Sequence, residues 1–320
     1  MPGPVAAQPV SPQVAPVPRP ASGDITGGIV LMIAFALVAP GIDILAKLAA
    51  RSIPPGEIAA ARFAVQAAVL MPLALIRGNF RPLTLRSAIH HMLRGLLIGV
   101  AIVCFITAIR VMPIADAIAI FFVEPMILTV LGGWVLGESV GWRRYAACAA
   151  GFAGALIVVQ PSYAVFGWVA ALPLVTALSF SVYLLLTRTL AQRDDPYAMQ
   201  AYAGLAAAVF IGGVLWLGDG GGSSVFDPVW PNAREALLVF GVGAIATFSH
   251  LLVVFAFSRA PASTLAPLQY MEIVSATILS FLVFGDFPDP LKWLGIAIIV
   301  GSGLFIFWRE RAAERRGAAA

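Results

Sequence analysis

The chain has 320 residues, of which 60% are hydrophobic and 11% are charged, and its net charge at pH 7 is +4. An ordinary soluble domain carries about 25% charged residues, so this composition excludes a water-soluble globular protein, and most of the surface must face lipid. The basic excess does not indicate nucleic-acid binding, because the basic residues fall between apolar runs, where membrane topology places them.

The N-terminal stretch, residues 1–24, is rich in Pro, Ala, Val and Gln, and Arg19 is the only charge before its last residue. Such a composition has little reason to form a packed core, so we predict a disordered cytoplasmic tail. It does not read as a cleaved signal peptide, because the apolar run that follows is too long.

Ten apolar segments follow, each long enough to cross a hydrocarbon layer of about 30 Å as a helix rising about 1.5 Å per residue. Backbone groups in lipid must be bonded within their own segment, and β-barrel strands would be shorter and would alternate. The sequence therefore predicts an all-α integral membrane protein followed by a basic cytoplasmic tail at residues 309–320. The ten predicted transmembrane helices are residues 25–49, 57–76, 93–111, 114–136, 143–160, 165–187, 197–217, 235–257, 262–284 and 291–308.

The basic residues divide unequally between the two sides of the predicted bundle. About fourteen arginines fall in the N-terminal tail, in every second connection and after the last span, whereas the other connections hold Arg51, Arg110, Arg234 and Lys292. Cytoplasmic loops are enriched in Lys and Arg. We therefore predict a multi-pass protein of a bacterial inner membrane with both termini in the cytoplasm.

Metal and redox chemistry have little support in the sequence. Cys104 and Cys148 lie inside predicted spans without the spacing of a disulfide framework or a zinc site, so both are interpreted as packing residues. Three histidines supply no metal-ligand spacing, and no Walker-type Gly-x-x-x-x-Gly-Lys-Ser/Thr sequence is present. We expect no metal, no cofactor and no ATP-driven motor.

Two parts of the chain repeat one another at a fixed offset of 148 residues. This offset pairs Glu124 with Glu272, Pro113 with Pro261, Thr129 with Thr277, Leu131 with Leu279, Gly137 with Gly285 and Glu138 with Asp286. Earlier in the repeat an offset of 141 pairs Lys47 with Arg188 and Pro55 with Pro196. A unit of five spans forces its second copy to enter the membrane in the opposite sense. The sequence thus predicts two inverted five-helix repeats, residues 25–160 and 161–308.

Two stretches connect the chain to a known family. Residues 46–63 carry Lys47 and Arg62, and residues 115–154 carry the pair Glu124-Pro125. The chain resembles the ten-helix EamA-type members of the drug/metabolite transporter superfamily over residues 25–308. Members of that family have basic and acidic residues at the places that correspond to these positions.

The second half departs from the family pattern. Ile273 stands where the family often has proline after the acidic residue, and Ala203 is the repeat equivalent of Arg62. The two halves are therefore not expected to act identically. The resemblance implies movement of metabolites, often export of amino acids or related small molecules, through a central cavity by alternating access.

Two acidic residues are the leading binding candidates. Glu124 and Glu272 are each the eleventh residue of a predicted span, about 15 Å deep, and an inverted repeat carries one onto the other. The functional interpretation is a site for a substrate cation or a proton. The structural alternative is an ion pair or a protonated helix contact, and the sequence does not decide between them.

Four further ionisable residues within spans are candidates for a functional role, because charge there is costly. Asp43 and Lys47 are four residues apart on one helix face, which favours a self-neutralising pair, with docking of an anionic substrate group by Lys47 or Arg62 as the alternative. Arg62 is the better anion ligand because its planar fork grips carboxylates, but it could equally hold Glu124. His250 is expected to bond a neighbouring helix, with a proton relay as the alternative.

Prolines within spans predict helix kinks that free backbone carbonyls toward a cavity. These prolines are Pro40, Pro125 and Pro267. Aromatic residues are candidate walls for an apolar or aromatic substrate, with packing or lipid contact as the alternative. These are Phe121, Trp134, Tyr183 and Tyr270.

These features predict a secondary transporter driven by gradients, and the resemblance implies that its substrates are amino acids or related small metabolites, with export as the expected direction. An importer of a nucleoside- or vitamin-like metabolite remains open, as do proton coupling and a monomeric or homodimeric state. From other classes, an intramembrane enzyme or a structural subunit is disfavoured, because the paired glutamates have no nucleophile elbow or His-Glu-x-x-His motif beside them. The expected partners are a small-molecule substrate and the bilayer, without nucleic acid.

Overall fold

The computed structural model describes residues 25–77, 84–135, 142–190, 195–259, 265 and 268–317. The predicted N-terminal tail and Pro267 lie outside these ranges. A short 3₁₀ helix, Gly167–Ala171, joins the sixth helix to the seventh. The α-helices are α1 (Ile25–Ala49), α2 (Pro55–Ile76), α3 (Leu85–Val111), α4 (Ile114–Phe121), α5 (Glu124–Val135), α6 (Trp142–Phe166), α7 (Leu172–Leu190), α8 (Pro196–Gly218), α9 (Ala233–Arg259), α10 (Met271–Phe284) and α11 (Pro290–Gly317).

The described residues confirm an all-helical membrane protein. Seven helical stretches of the described residues are long and apolar enough to cross a bilayer, one of them joining α4 to α5 and another running from the end of α6 into α7. Three shorter apolar helices, Tyr145–Val159, Met271–Phe284 and Pro290–Phe305, occupy positions of the remaining predicted spans. The last helix does not end at residue 308 but runs to Gly317. Most of the predicted basic tail is therefore helical.

The predicted span 114–136 contains a short break between α4 and α5, within one apolar stretch, Ile114–Gly132. The α-helical pattern of α4 ends at Phe121 and that of α5 begins at Glu124. The break is bridged by backbone bonds, in which the amide of Phe122 donates to Ile118 at 3.0 Å and the amide of Met126 donates to Val123 at 3.0 Å. Proline has no N–H to give and its backbone angle suits a first helical turn. Pro125 therefore lies in the first turn of α5, directly after the break and at the place where the sequence predicts a kink.

Helices from the first half of the chain pack mainly on helices from the second half. The major pairs are α1 with α9 and α10, α2 with α8 and α9, α3 with α7 and α8, α5 with α7, and α6 with α11. The middle of the bundle therefore lies at the boundary between the halves, and side chains projecting there come from both.

Small residues allow two of these pairs to approach closely. A Cβ atom added to Gly154 on α6 would lie 3.0 Å from the carbonyl oxygen of Gly295 on α11. One added to Gly95 on α3 would lie 2.9 Å from the carbonyl oxygen of Ala203 on α8. Close packing of small residues supplies the van der Waals attraction that holds helices together in lipid.

Candidate functional site

Charged side chains from four helices converge in the bundle. Arg62 on α2 donates from Nη2 to Nε2 of His250 on α9 at 3.1 Å. Asp43 on α1 lies within electrostatic range of Arg62, and Glu272 on α10 lies within electrostatic range of Asp43. We call these four residues, Asp43, Arg62, His250 and Glu272, the central cluster.

Arg62 retains unused hydrogen-bonding capacity. Its side chain is 5% exposed, and its guanidinium lies 4.9 Å from the centre of the Phe63 ring. Among the described residues, its Nε and Nη1 atoms have no hydrogen-bond acceptor. Two adjacent donors of a guanidinium match the two oxygens of a carboxylate. Arg62 is therefore equipped to take an anionic group that enters the bundle.

The bond to Arg62 also determines the state of His250. A guanidinium donates and does not accept, so Nε2 of His250 must be the acceptor and the imidazole must be neutral in this arrangement. This contact with a neighbouring helix is the arrangement expected from the sequence for a membrane histidine. The single N–H group of the neutral imidazole is then at Nδ1.

Glu124 is the first residue of α5 and is 9% exposed. Its backbone carbonyl accepts a hydrogen bond from Oγ of Ser181 on α7 at 3.1 Å, which ties the start of α5 to α7. Glu272 likewise lies in the first turn of α10. Both acidic residues therefore lie at the start of a helix, where the unpaired backbone N–H groups carry partial positive charge.

Tyr270 connects the two acidic positions. It lies within electrostatic range of Glu124 and precedes Glu272 by two residues. Its ring is 5.2 Å from that of Phe122, in the break between α4 and α5, and its hydroxyl packs against Gly303 of α11 where any larger residue would collide with it. The structure thus brings Glu124 and Glu272 into one region of the bundle.

Three of the four predicted wall residues belong to one aromatic array. Phe121 lies 5.6 Å from Phe180, which in turn lies 5.6 Å from Tyr183, and Tyr270 joins the array through Phe122. Trp134 does not belong there, since it is 77% exposed. It lies ten residues beyond Glu124 on α5, about 15 Å along the helix, and faces outward.

Lys47 does not form the predicted pair with Asp43. Its Nζ donates to the backbone carbonyl of Met112 at 2.9 Å and to Oδ2 of Asp286 at 3.0 Å. Lys47 lies in the last turn of α1, from which its long side chain reaches the connection between α10 and α11. Lys47 is thereby removed from the central cluster, and Arg62 takes the place beside Asp43.

Pro40 lies within a continuous α1, and we assign no break to it.

A second ion pair joins the halves at the same end of the bundle as Lys47. Asp116 on α4 is wholly buried and pairs with Nζ of Lys292 on α11 at 2.6 Å, and Oγ of Ser162 donates to it at 3.3 Å. Sequence reasoning missed Asp116, although an acid within an apolar run was a usable signal.

A buried arginine was also missed. Arg94 lies at the edge of the predicted span 93–111 and was counted with the arginines of the preceding connection, but α3 begins nine residues earlier and Arg94 is 1% exposed. Its guanidinium donates to the hydroxyl of Thr187 at 3.0 Å, the carbonyl of Met199 at 3.2 Å and the hydroxyl of Tyr183 at 3.2 Å. Tyr183 in turn donates to Gln200 at 2.9 Å. These bonds lock α3, α7 and α8 together, and they explain how Tyr183 is held.

A cavity of about 740 Å³ lies elsewhere, between α6 and α11. None of the predicted site residues is among the described residues that line it. The central cluster, and not this cavity, is therefore the candidate functional site.

Comparisons with known proteins agree with a transport protein. The model of the EamA-like transporter family matches residues 26–160 and again residues 167–308. The S-adenosylmethionine uptake transporter of Rickettsia felis is 25% identical, over 86% of this chain and 90% of its own. The riboflavin transporter of Vibrio cholerae is 28% identical, over 82% and 86%. The pseudopaline exporter CntI of Pseudomonas aeruginosa is 26% identical, over 85% and 93%.

The fold has a counterpart among solved structures. One crystal structure superposes with a TM-score of 0.63 at 21% sequence identity, over 90% of this chain and 99% of the other. At this identity the likeness describes the fold alone.

Proposed function

Because this chain belongs to the EamA-like transporter family of the drug/metabolite transporter superfamily, we propose that it moves a small zwitterionic metabolite, an amino acid or a related compound, across the membrane by alternating access. The convergence of Asp43, Arg62, His250 and Glu272 from four helices carries this proposal. The family and the named relatives are transporters and not enzymes.

The chemistry of the central cluster supports this substrate class. A zwitterion offers a carboxylate to the unfilled donors of Arg62 and an ammonium group to the acidic side chains of Asp43 and Glu272. Burying a charge is costly unless it is paired. A substrate that carries both charges compensates the acids and the guanidinium in a single binding event.

Export is the direction we propose, and the relatives provide a second candidate. One relative is named an exporter, whereas others are named for uptake of S-adenosylmethionine or for transport of riboflavin. Import of a vitamin-like ring compound is favoured by one observation, the array of Phe121, Phe122, Phe180, Tyr183 and Tyr270, because aromatic side chains suit the faces of a flat ring.

We propose further that the protein has ten transmembrane helices in two inverted repeats, residues 25–160 and 161–308. The double match of one family model supports this arrangement. So does the placement of Glu124 and Glu272, each in the first turn of a helix that begins within a predicted span. In two such repeats α1 corresponds to α7, and α3 corresponds to α9. The contact of α1 with α9 therefore has its symmetry counterpart in the contact of α7 with α3, and both contacts are present.

Alternating access requires one end of the bundle to be closed while the other opens. We assign the closed end to the outside, where the pairs Lys47–Asp286 and Asp116–Lys292 join the halves. The distribution of arginine supports this orientation, with both termini in the cytoplasm of a bacterial cell. Opening that end must separate both pairs.

Transport in proteoliposomes tests the proposal. The probes are radiolabelled amino acids supplied singly, S-adenosylmethionine and riboflavin, each with and without an imposed pH gradient. We expect at least one amino-acid-type probe to move, and we expect Glu124→Gln and Arg62→Gln to abolish that movement while helix content and thermal stability are retained.

The matched control is Glu57→Gln, the same chemical change in the first turn of α2, which should transport like the unaltered protein. If none of the probes moves, or if Glu124→Gln transports at the unaltered rate, the proposal is wrong. Movement of riboflavin without any amino-acid-type probe would instead establish the second candidate.

A further inference from the structure

A groove opens on the surface of the bundle between α6 and α11. Its volume is about 740 Å³. Small residues, including Ala146, Ala150 and Gly301, leave its floor empty, and a Cβ atom added to Gly301 meets no atom within 4 Å. The floor is empty because the residues that face this part of the groove are small, while the large side chains lie around it.

Aromatic residues and one cation surround this floor. Trp142 and Trp308 are 74% and 63% exposed, and Phe305 is 40% exposed. Trp142 is the first residue of α6, and Trp308 ends the apolar part of α11, so both tryptophans mark one end of the bundle. Exposed tryptophans of this kind are typical of the level at which hydrocarbon meets lipid headgroups.

Arg143 lies at the mouth of the groove. Its guanidinium is 5.6 Å from the centre of the Trp142 ring, which holds the cation beside the tryptophan at the predicted headgroup level. From Arg143 to Ala150 the helix rises about 10 Å. The groove therefore presents a positive charge at headgroup height and an apolar floor that descends toward the hydrocarbon.

We propose that this groove is a binding site for an anionic phospholipid of the surrounding bilayer, with the phosphate at Arg143 and an acyl chain along the floor formed by Ala146, Ala150 and Gly301. Basic pockets between transmembrane helices suit anionic headgroups. The volume is within the range of about 300–1,000 Å³ of small-molecule sites. This inference depends on the membrane location of the chain and not on the transport proposal.

Charge favours a lipid over a second copy of the chain. A two-fold interface brings the same patch of both copies together, so it would place Arg143 near its equivalent and bring two basic chain ends close. Residues 309–316 alone contain four arginines and two glutamates. An anionic lipid instead neutralises the mouth of the groove.

Native mass spectrometry of the delipidated full-length protein tests the site, with phosphatidylglycerol and phosphatidylcholine of identical acyl chains as probes. We expect phosphatidylglycerol to bind at least about fivefold more tightly than phosphatidylcholine, and Arg143→Gln to remove about fivefold, since one basic side chain near a headgroup contributes about this factor. Gly301→Leu and Ala150→Leu should abolish saturable binding of both lipids.

The matched control is Ala149→Leu, an exposed neighbour on α6 outside the groove lining, which should leave both affinities unchanged. Thermal unfolding in the same detergent verifies that each variant is folded, and either groove-filling variant is sufficient if the other is unstable. Equal affinity for the two lipids, or undiminished binding in the groove-filling variants, overturns the proposal. So does a dimer that these variants dissociate, because it assigns the groove to a second copy.

Discussion

The buried ion pair between Asp116 and Lys292 makes a quantitative prediction about stability. Asp116 is wholly buried, and one of its oxygens receives both Lys292 at 2.6 Å and Ser162 at 3.3 Å. Removing one partner of a buried pair typically costs about 3–5 kcal/mol, because the other charge is left uncompensated. The two single substitutions should nevertheless differ in cost.

Lys292→Met leaves a wholly buried carboxylate with only a hydroxyl donor, so we expect a loss of about 4 kcal/mol. Asp116→Asn leaves a lysine that is 14% exposed and has Asp289 within 3.6 Å, so we expect about 2 kcal/mol because this lysine keeps water and a second carboxylate. The double variant should cost no more than Asp116→Asn alone, since no buried charge then remains. The coupling energy is thus about 4 kcal/mol.

Equilibrium unfolding by SDS titration into mild-detergent micelles, followed by far-UV circular dichroism, measures these free energies. Asp289→Asn, which removes the exposed and more distant carboxylate, is the control and should change the free energy of unfolding by less than about 1 kcal/mol. Additive costs in the double variant would refute the reasoning, because they would mean that the two side chains act independently.

Two further substitutions test the packing around the site, both by the same unfolding assay. Tyr183→Phe removes the acceptor for Arg94 and the donor to Gln200, so it should lower the free energy of unfolding by about 1–3 kcal/mol through unsatisfied buried groups; an unchanged value would mean that water replaces the hydroxyl. Gly154→Val places carbon within 3.0 Å of the carbonyl oxygen of Gly295 and should cost about 1–3 kcal/mol by forcing α6 from α11; full stability would show that the helices separate freely.

Local patterns in the sequence predicted the apolar helices, because hydropathy and length are properties of each segment alone. The pair Glu124-Pro125 signalled a disturbance in its span. The sequence predicted a kink there, and in the structure the helical pattern is interrupted after Phe121 and resumes at Glu124. Neighbouring helices decide which backbone carbonyls at the break remain without a hydrogen bond. Ser181 on α7, for example, donates to the carbonyl of Glu124. The sequence of one segment does not contain this information.

Partners distant in sequence were the least predictable part of the site. Spacing along α1 favoured a bond from Lys47 to Asp43, but Lys47 bonds Asp286, 239 residues away. The burial of Arg94 was missed because its charge suggested a loop. Thr84, whose hydroxyl accepts from the amide of Ser87 at 3.2 Å, is the helix-start signal that would have placed Arg94 well inside α3.

The composition of the central cluster has a consequence for the biogenesis of the protein. Asp43 and Arg62 are synthesised with the first half of the chain, while His250 and Glu272 arrive only with α9 and α10. Until then Arg62 has neither its imidazole acceptor nor the packing of α2 against α8 and α9. A nascent chain halted after α6 would hold Arg62 with Asp43 but without its imidazole acceptor, so the burial of this guanidinium is completed only by the second half of the chain.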